Sequence, residues 1–349
     1  MSLKILYAVQ ATGNGHISRA MELMPYLQQY GEVDVFLSGS NSNLTPNLPI
    51  RYRSNGLSLF YGNTGGLDYW RMWKELNLRR VWKEAKALPV EKYDLVLNDF
   101  DSITSLACAL KKVPSVGFGH QASFQSSLTP RAGKKDIAGE MILRHYAKAT
   151  AYIGLHFSQY DDFIYAPILK EEVLQAQPVK GNHVTVYLSH YSDEVVIQAL
   201  AGIKDIQFEI FSKKATQKKQ TGNITLIPIS NDGFSHSMIN AAGVITGAGF
   251  ETPAEALYLG KQLLCLPIRG QYEQLCNAAA LKDFNVTIID KINTSFQQQV
   301  MNWIQNTAVK QLTITHSTYK IVQKTIELGR SLRKESDITL MPEIFSYQK

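Results

Sequence analysis

The sequence predicts an α/β protein of two doubly wound, parallel-sheet domains facing each other across a cleft. Three observations predict it. Short apolar runs alternate with helical patterns almost throughout, several of those runs are apolar on both faces, and the alternation pauses once near the middle. Strand–helix alternation implies right-handed βαβ units, and strands apolar on both faces are those of a parallel sheet covered by helices on either side. The 349 residues fit two domains at roughly 100–200 residues each.

The strands come in order. "KILYAV", "DVFLSG", "DLVLND", "PSVGFGH" and "AYIGLHF" lie in the first half; "VTVYLS", "IQFEIF", "ITLIPI", "GVITG", "QLLCLPI" and "VTIID" lie in the second. Helical patterns separate them; Ile17, Ala20, Met21, Met24 and Leu27 repeat at three-four spacing. The pause is "YAPILKEEVLQAQPVKGNH", where Pro167 and Pro178 punctuate a charged stretch in the manner of a linker. The expected division is a first domain over 1–165, a second over 182–325, and a terminal segment over 326–349 that returns toward the first.

Composition narrows the function classes. A 45% apolar and 19% charged chain is an ordinary globular one, not a disordered one. The net charge of +6 favours contact with something anionic, whether nucleotide phosphates, an anionic membrane surface or nucleic acid, and does not choose among them. A solvated basic surface is the other reading, and no nucleic-acid partner is expected once the motifs below are weighed. Three dispersed cysteines offer neither a disulfide framework nor metal-ligand spacing, which fits a cytoplasmic protein without a structural metal. "MSLKILYAV" lacks the features of a signal peptide, and no apolar run reaches the ~20 residues of a membrane span. The segment 69–86 carries Trp70, Trp73 and Trp82 among basic residues. It is expected either to touch an anionic membrane surface or to pack on the first sheet with its charges in water.

Two segments carry candidate chemistry. Early in the chain, "ATGNGHISRAMELM" sets Gly13, Asn14 and Gly15 before His16, at the point where a turn hands over to a helix. In the second half, "GVITGAGFETPAEALYLGK" ends a strand in Gly247, Ala248 and Gly249 and starts a helix near Thr252-Pro253. Free N–H groups and the positive end of the helix dipole make that turn a ready diphosphate site. Thr252 and Glu255 have capping-box spacing, so Glu255 either satisfies a backbone N–H or accepts hydrogen bonds from the two ribose hydroxyls of a nucleotide.

The second segment resembles the donor-binding region of GT-B glycosyltransferases. Gly249, Thr252, Glu255, Pro267, Glu273, Gln274, Asn277 and Ala278 fill, in order, the pattern "G-x-x-[ST]-x-x-E … P-x-x-x-[DQE]-Q-x-x-N-A" of the lipid II-forming N-acetylglucosaminyltransferase, the galactolipid synthases and the UDP-glycosyltransferases. It is similar also to an uncharacterised bacterial and archaeal group bearing "G-F-E-T-x-x-E-A-L-x-L-G-K". The resemblance implies an inverting, metal-independent sugar transfer from a nucleoside-diphosphate sugar, with UDP the commonest donor, to a hydroxyl acceptor, and no cofactor. It implies that Glu255 binds ribose, that Gly247, Ala248, Gly249, Phe250 and Glu251 wrap the diphosphate, and that Glu273 and Gln274 bond the sugar. Related plant enzymes carry a phosphate-binding histidine where this chain has Gly247, so backbone amides would do more here.

On the same resemblance His16 is the general base, and Asp99 of "DLVLNDFDS" is its carboxylate partner. Asp101 or Ser102 otherwise reads as the cap of the next helix. Phe234 is expected either to cover the base or to join the core. Ser189 and His190 are expected to add phosphate donors, and His120 and Gln121 to line the acceptor side. Two other readings compete with transfer: a nucleotide-sugar sensor without catalysis, and a nucleotide-sugar 2-epimerase on the same fold. A dinucleotide dehydrogenase is disfavoured because "VDVFLSGS" ends without an acidic ribose ligand.

Overall fold

The protein is described here from a computed structural model. The structure describes residues 2–11, 14–39, 47–56, 77–306 and 308–340. In chain order the first half is β1 (Leu3–Gln10), α1 (Asn14–Leu27), β2 (Gly31–Ser38), β3 (Ile50–Ser54), α2 (Leu78–Ala87), β4 (Leu95–Asp99), α3 (Ser102–Lys111), β5 (Val116–Gly119), α4 (Ile137–His145), β6 (Ala151–Leu155) and β7 (Ile164–Tyr165). A short helix, α5 (Glu171–Leu174), follows. The second half is β8 (His183–Tyr187), α6 (Asp193–Leu200), β9 (Gln207–Ser212), β10 (Lys219–Thr221), β11 (Ile224–Pro228), α7 (Asn231–Ile239), β12 (Gly243–Thr246), α8 (Glu251–Tyr258), β13 (Gln262–Cys265), α9 (Tyr272–Leu281), β14 (Thr287–Ile288), α10 (Phe296–Asn306) and α11 (Thr318–Leu340).

The strands form two sheets, ordered β3-β2-β1-β4-β5-β6-β7 and β10-β11-β9-β8-β12-β13-β14. Every pairing in the first sheet is parallel, and in the second only β10 is antiparallel, against β11. The expected α/β doubly wound class is the observed one, and each run of residues read as a strand is a strand. β3, β7 and β10 were not anticipated. β10 is exposed throughout and β3 alternates between exposed and half-buried residues, as edge strands do, so neither shows the apolar run of a central strand. β7 has only two residues.

In both sheets the strand order reverses beside the first strand: between β1 and β4, and between β8 and β12. Open α/β sheets bind ligands in the crevice at the carboxyl ends of such a pair. α1 follows the end of β1 and α8 follows the end of β12, so topology alone puts the starts of these two helices at the two crevices.

The core is continuous between the halves. Phe157, after β6, packs against Phe250 and Phe284 with ring centroids 5.1 and 6.3 Å apart. α11 lies on α1 and β4 of the first sheet and buries Ile321, Val322 and Ile326 among its residues. No helix among the described residues is long and apolar enough to cross a membrane. Of the basic-aromatic segment 69–86, residues 69–76 lie outside the described residues. The remainder is in or next to α2, which buries Val81 and Ala85 and leaves Trp82 exposed with the Lys86 ammonium over its ring. Ile326→Ala, which removes methylenes from a site 1% exposed, is expected to cost about 2–5 kcal/mol. A urea midpoint equal to the parent's would show that α11 does not contribute to the core of the first sheet.

Candidate active site

Three residues at the end of β4 take three different roles. Asp99 closes the strand. Phe100 adopts a left-handed conformation (φ 59°) that turns the chain. Asp101 then caps α3, accepting from the Thr104 N–H at 2.6 Å, while its own N–H is held by Asn98 Oδ1 at 2.7 Å. The cap expected at Asp101 or Ser102 is thus Asp101, and Asp99 is left for the cleft.

Asp99 is fully buried and meets two residues of α1. His16 Nδ1 lies 2.8 Å from its Oδ1; a carboxylate only accepts, so Nδ1 carries the proton and donates. That leaves the His16 Nε2 lone pair facing outward, where the Gln121 amide nitrogen stands at 3.5 Å. Arg19, one helical turn beyond His16, grips the same carboxylate. Its Nη2 reaches both oxygens at 2.8 Å and its Nε reaches Oδ2 at 3.2 Å. Tyr7 adds a weaker bond to Oδ2 at 3.4 Å. Burial alone would raise the Asp99 pKa, but Arg19 and then His16 outweigh it and hold the carboxyl below its ordinary range.

The outer nitrogen of Arg19, Nη1, donates to Glu251, the first residue of α8 on the opposite half. Two glycines make room for this crossing. Gly119 has φ +109°, and a Cβ there would stand 3.0 Å from both Arg19 Nη2 and Asp99 Oδ1; a Cβ on Gly15 would stand 3.1 Å from Glu251 Cγ. Arg19 is the functional residue that the sequence reading missed. Its three-residue spacing from His16, which places both on one helix face, was the available signal.

On the second half α8 begins at Glu251 with Phe250 as its N-cap residue, two positions earlier than the expected Thr252 cap and Pro253 start. Thr252 is therefore inside the helix, and the capping box between Thr252 and Glu255 does not form. Glu255, 4% exposed, lies instead against the linker residue Lys170, whose Nζ is 3.5 Å from Oε1 and 3.1 Å from Ser235 Oγ. Burial raises the Glu255 pKa, with Lys170 opposing. Nothing in the sequence marked Lys170.

One cleft connects these groups. Asn14, Gly15 and Ser18 of α1 form one wall; Glu251, Thr252 and Glu255 of α8 form the other. Lys170 lies between, and Tyr187, Ile229, Ser230 and Phe234 close the far end. Phe234 joins the core, packing edge-on against Tyr187 and Phe211, and also lines the cleft.

Other expected site residues are placed differently. His120 is 1% exposed and stacks on Phe250 with centroids 4.0 Å apart, with Nε2 2.8 Å from Asn277 Oδ1. It joins the two halves rather than lining an open acceptor face, because the end of β5 abuts the α8 turn. Gln274 Oε1 accepts from the N–H groups of Ala248 and Ile268, so it shapes the turn containing Gly247 and Gly249. Gln121 donates to Glu273 at 3.1 Å across the halves. Ser189 is exposed just beyond the end of β8, and next to it burial pushes His190 down to about 4. Gly13 lies outside the described residues.

The two sheets and the cleft between them define a GT-B protein. The chain belongs to glycosyl transferase family 1, which it matches over residues 3–307. Its fold is similar to UGT89C1 of Arabidopsis thaliana, solved with UDP-L-rhamnose: 11% identity, 95% of this chain, 100% of that one, TM-score 0.62. It is similar also to the glycosyltransferase SnogD of Streptomyces nogalater, at 10% identity, 96% of each chain and TM-score 0.53. A third similar structure is the spinosyn forosaminyltransferase SpnP, at 13% identity, 96% of each chain and TM-score 0.56. At these identities the likeness is one of fold. No curated protein sequence matches the chain.

Asp99 and Glu251 share one guanidinium, and only Asp99 has both oxygens bound by it. Burial pushes Glu251 up to about 7; Arg19 opposes the rise, and nearby Glu255 adds to it. A carboxyl raised on folding contributes stability that is present below its unfolded pKa and lost as pH rises through the folded value. That contribution is therefore expected to disappear between about pH 4.5 and about 7, and Glu251→Gln to flatten the decline. Urea midpoints of parent and variant at about pH 5 and about pH 8 measure it; an identical decline in both would mean that Glu251 does not titrate there.

Proposed function

We propose that the chain is an inverting glycosyltransferase that moves a sugar from a nucleoside-diphosphate sugar, with UDP the expected carrier, onto a hydroxyl. The observation that carries this reading is a cleft lined by Asn14, Gly15 and Ser18 of α1 and by Glu251, Thr252 and Glu255 of α8, with His16, held by Asp99, in the same first turn of α1. The nucleoside occupies the end lined by Tyr187, Ile229 and Phe234. Its ribose hydroxyls bond Glu255, for which Lys170 must share its place. The diphosphate lies at Gly247–Glu251, where the positive end of the α8 dipole favours an anion.

In the transfer step the acceptor hydroxyl approaches His16 Nε2 and gives up its proton there as its oxygen attacks the anomeric carbon. The bond from that carbon to the diphosphate oxygen breaks on the opposite face, and the electron pair leaves with the nucleoside diphosphate. Configuration inverts in this single displacement. Asp99 holds the imidazole with Nδ1 protonated and steadies the imidazolium that forms. A general base is needed here, since a hydroxyl is a poor nucleophile until its proton is removed in the transition state. The motif's similarity to the lipid II-forming and galactolipid enzymes favours a hexosyl or N-acetylhexosaminyl donor and a glycan or lipid acceptor.

Thermal shift with nucleoside diphosphates and nucleotide sugars tests the donor. A ligand at about 100 times its Kd is expected to stabilise the fold by ~2.7 kcal/mol, and Glu255→Gln to weaken that binding. A Glu255→Gln protein that binds as the parent does would remove Glu255 from the nucleotide site. His16→Ala is expected to leave UDP binding intact while lowering turnover of the nucleotide sugar by ~10²–10⁴. Turnover at the parental rate would take the base away from His16, and binding without turnover in the parent would favour a nucleotide-sugar sensor.

A further inference from the structure

We propose that Arg19 is a positioning residue that links the donor-side helix to the base, so that a chain of contacts from Glu251 through Arg19 and Asp99 sets the orientation of His16. The inference rests on His16 acting as the base and goes beyond it, because it makes that base answer to a residue of the other half.

Arg19 and Asp99 are both buried, and the guanidinium uses both of its edges. Nε and Nη2 hold Asp99, and Nη1 holds Glu251, which lies 232 residues further along the chain. A guanidinium is planar and presents its donors in a fixed fork. A displacement of Glu251 therefore turns the plane, and the plane carries the Asp99 carboxylate with it. Asp99 in turn sets the imidazole, whose Nδ1 lies 2.8 Å from Oδ1. Arg19 Nη2 stands 3.1 Å from the same Nδ1, with its own hydrogens directed at Asp99. The backbone is built to permit this chain. Gly119 takes a left-handed conformation beneath the Arg19–Asp99 pair, and Gly15 takes the close approach of Glu251.

A buried arginine between two carboxylates could serve stability alone. The two roles differ in what happens to His16. If Arg19 positions it, Arg19→Lys keeps a buried cation beside Asp99 but cannot span Asp99 and Glu251 together, and the ring loses its single orientation. Glu251→Ala breaks the same chain from its far end, on the more exposed side of the pair, and serves if the lysine variant does not fold.

The experiment needs no acceptor. Nitrogen-15 NMR of histidine-labelled protein, with the His16 signals assigned by their loss in His16→Ala, reads which ring nitrogen carries the proton. The parent is expected to show protonated Nδ1 and bare Nε2; Arg19→Lys or Glu251→Ala is expected to show a mixture. An unchanged tautomer in a folded variant overturns the proposal. Hydrolysis of UDP-glucose at saturation supplies the second reading. Either variant is expected to lose about 10²-fold in kcat, the order of cost of a group misplaced by about an ångström. In the His16→Ala background the same substitution is expected to cost nothing further. An equal loss in both backgrounds would make Arg19 a stabilising residue only and overturn the relay. If His16→Ala hydrolyses at the parental rate, it is the base assignment that fails, and the NMR result still stands for or against the relay.

Discussion

A buried carboxylate with a cation shared between two halves of the chain is the interaction on which this cleft depends. Asp99 has no solvent to stabilise its charge. Removing an ionised carboxylate from water costs several kcal/mol unless its lone pairs are filled and an opposite charge is close. Arg19 and His16 fill them, and Arg19 then extends to Glu251 on the other sheet. The requirement that Asp99 be paired thus fixes where α8 begins relative to α1, and with it the separation between the two walls of the cleft.

The repetition of one topology accounts for the rest of the geometry. Each sheet reverses its strand order beside its first strand, and each places a helix start at that reversal. On the first half the helix start presents a titratable ring; on the second it presents backbone N–H groups. On the proposed reading a proton acceptor and an anion site come from two copies of the same architectural position. The aromatic contacts of Phe157 and His120 with Phe250 hold those positions together from beneath.

What was legible in the sequence follows from this division. Parallel strands buried on both faces announce themselves, so the sheets were readable, whereas the edge strands β3 and β10, half-exposed or exposed, were not. His16 and Asp99 could be placed together because both end an apolar strand or open the helix that follows it. Arg19 was visible only as a helix-face neighbour of His16, and Lys170 had no local mark at all, since its partner Glu255 is brought to it by the linker's path. His120 and Gln274 were misjudged for the opposite reason. Their types suit ligand binding, but the closeness of β5 to α8, and of α9 to the Ala248 turn, commits them to internal contacts that spacing cannot reveal.

The charge balance of the cleft bears on how it could accept a diphosphate. Asp99, Glu251 and Glu255 lie against Arg19 and Lys170, an excess of carboxyls over these cations. A doubly anionic ligand would be repelled unless that excess were offset. Two features offset it. Burial pushes Glu251 up to about 7, so near neutrality this carboxyl is partly uncharged at the point where the diphosphate would lie. The turn at Gly247–Phe250 points the positive end of the α8 dipole at the same place, and it does so without a side-chain cap on the helix. Gly247, standing where related plant enzymes carry a histidine, is consistent with phosphate recognition that relies on backbone rather than on a cationic side chain. A neutral carboxyl can donate a hydrogen bond to a phosphate oxygen, and it adds no cation that would compete with Arg19 for Asp99. On the proposed reading, His16 can then keep its orientation while the anion is bound.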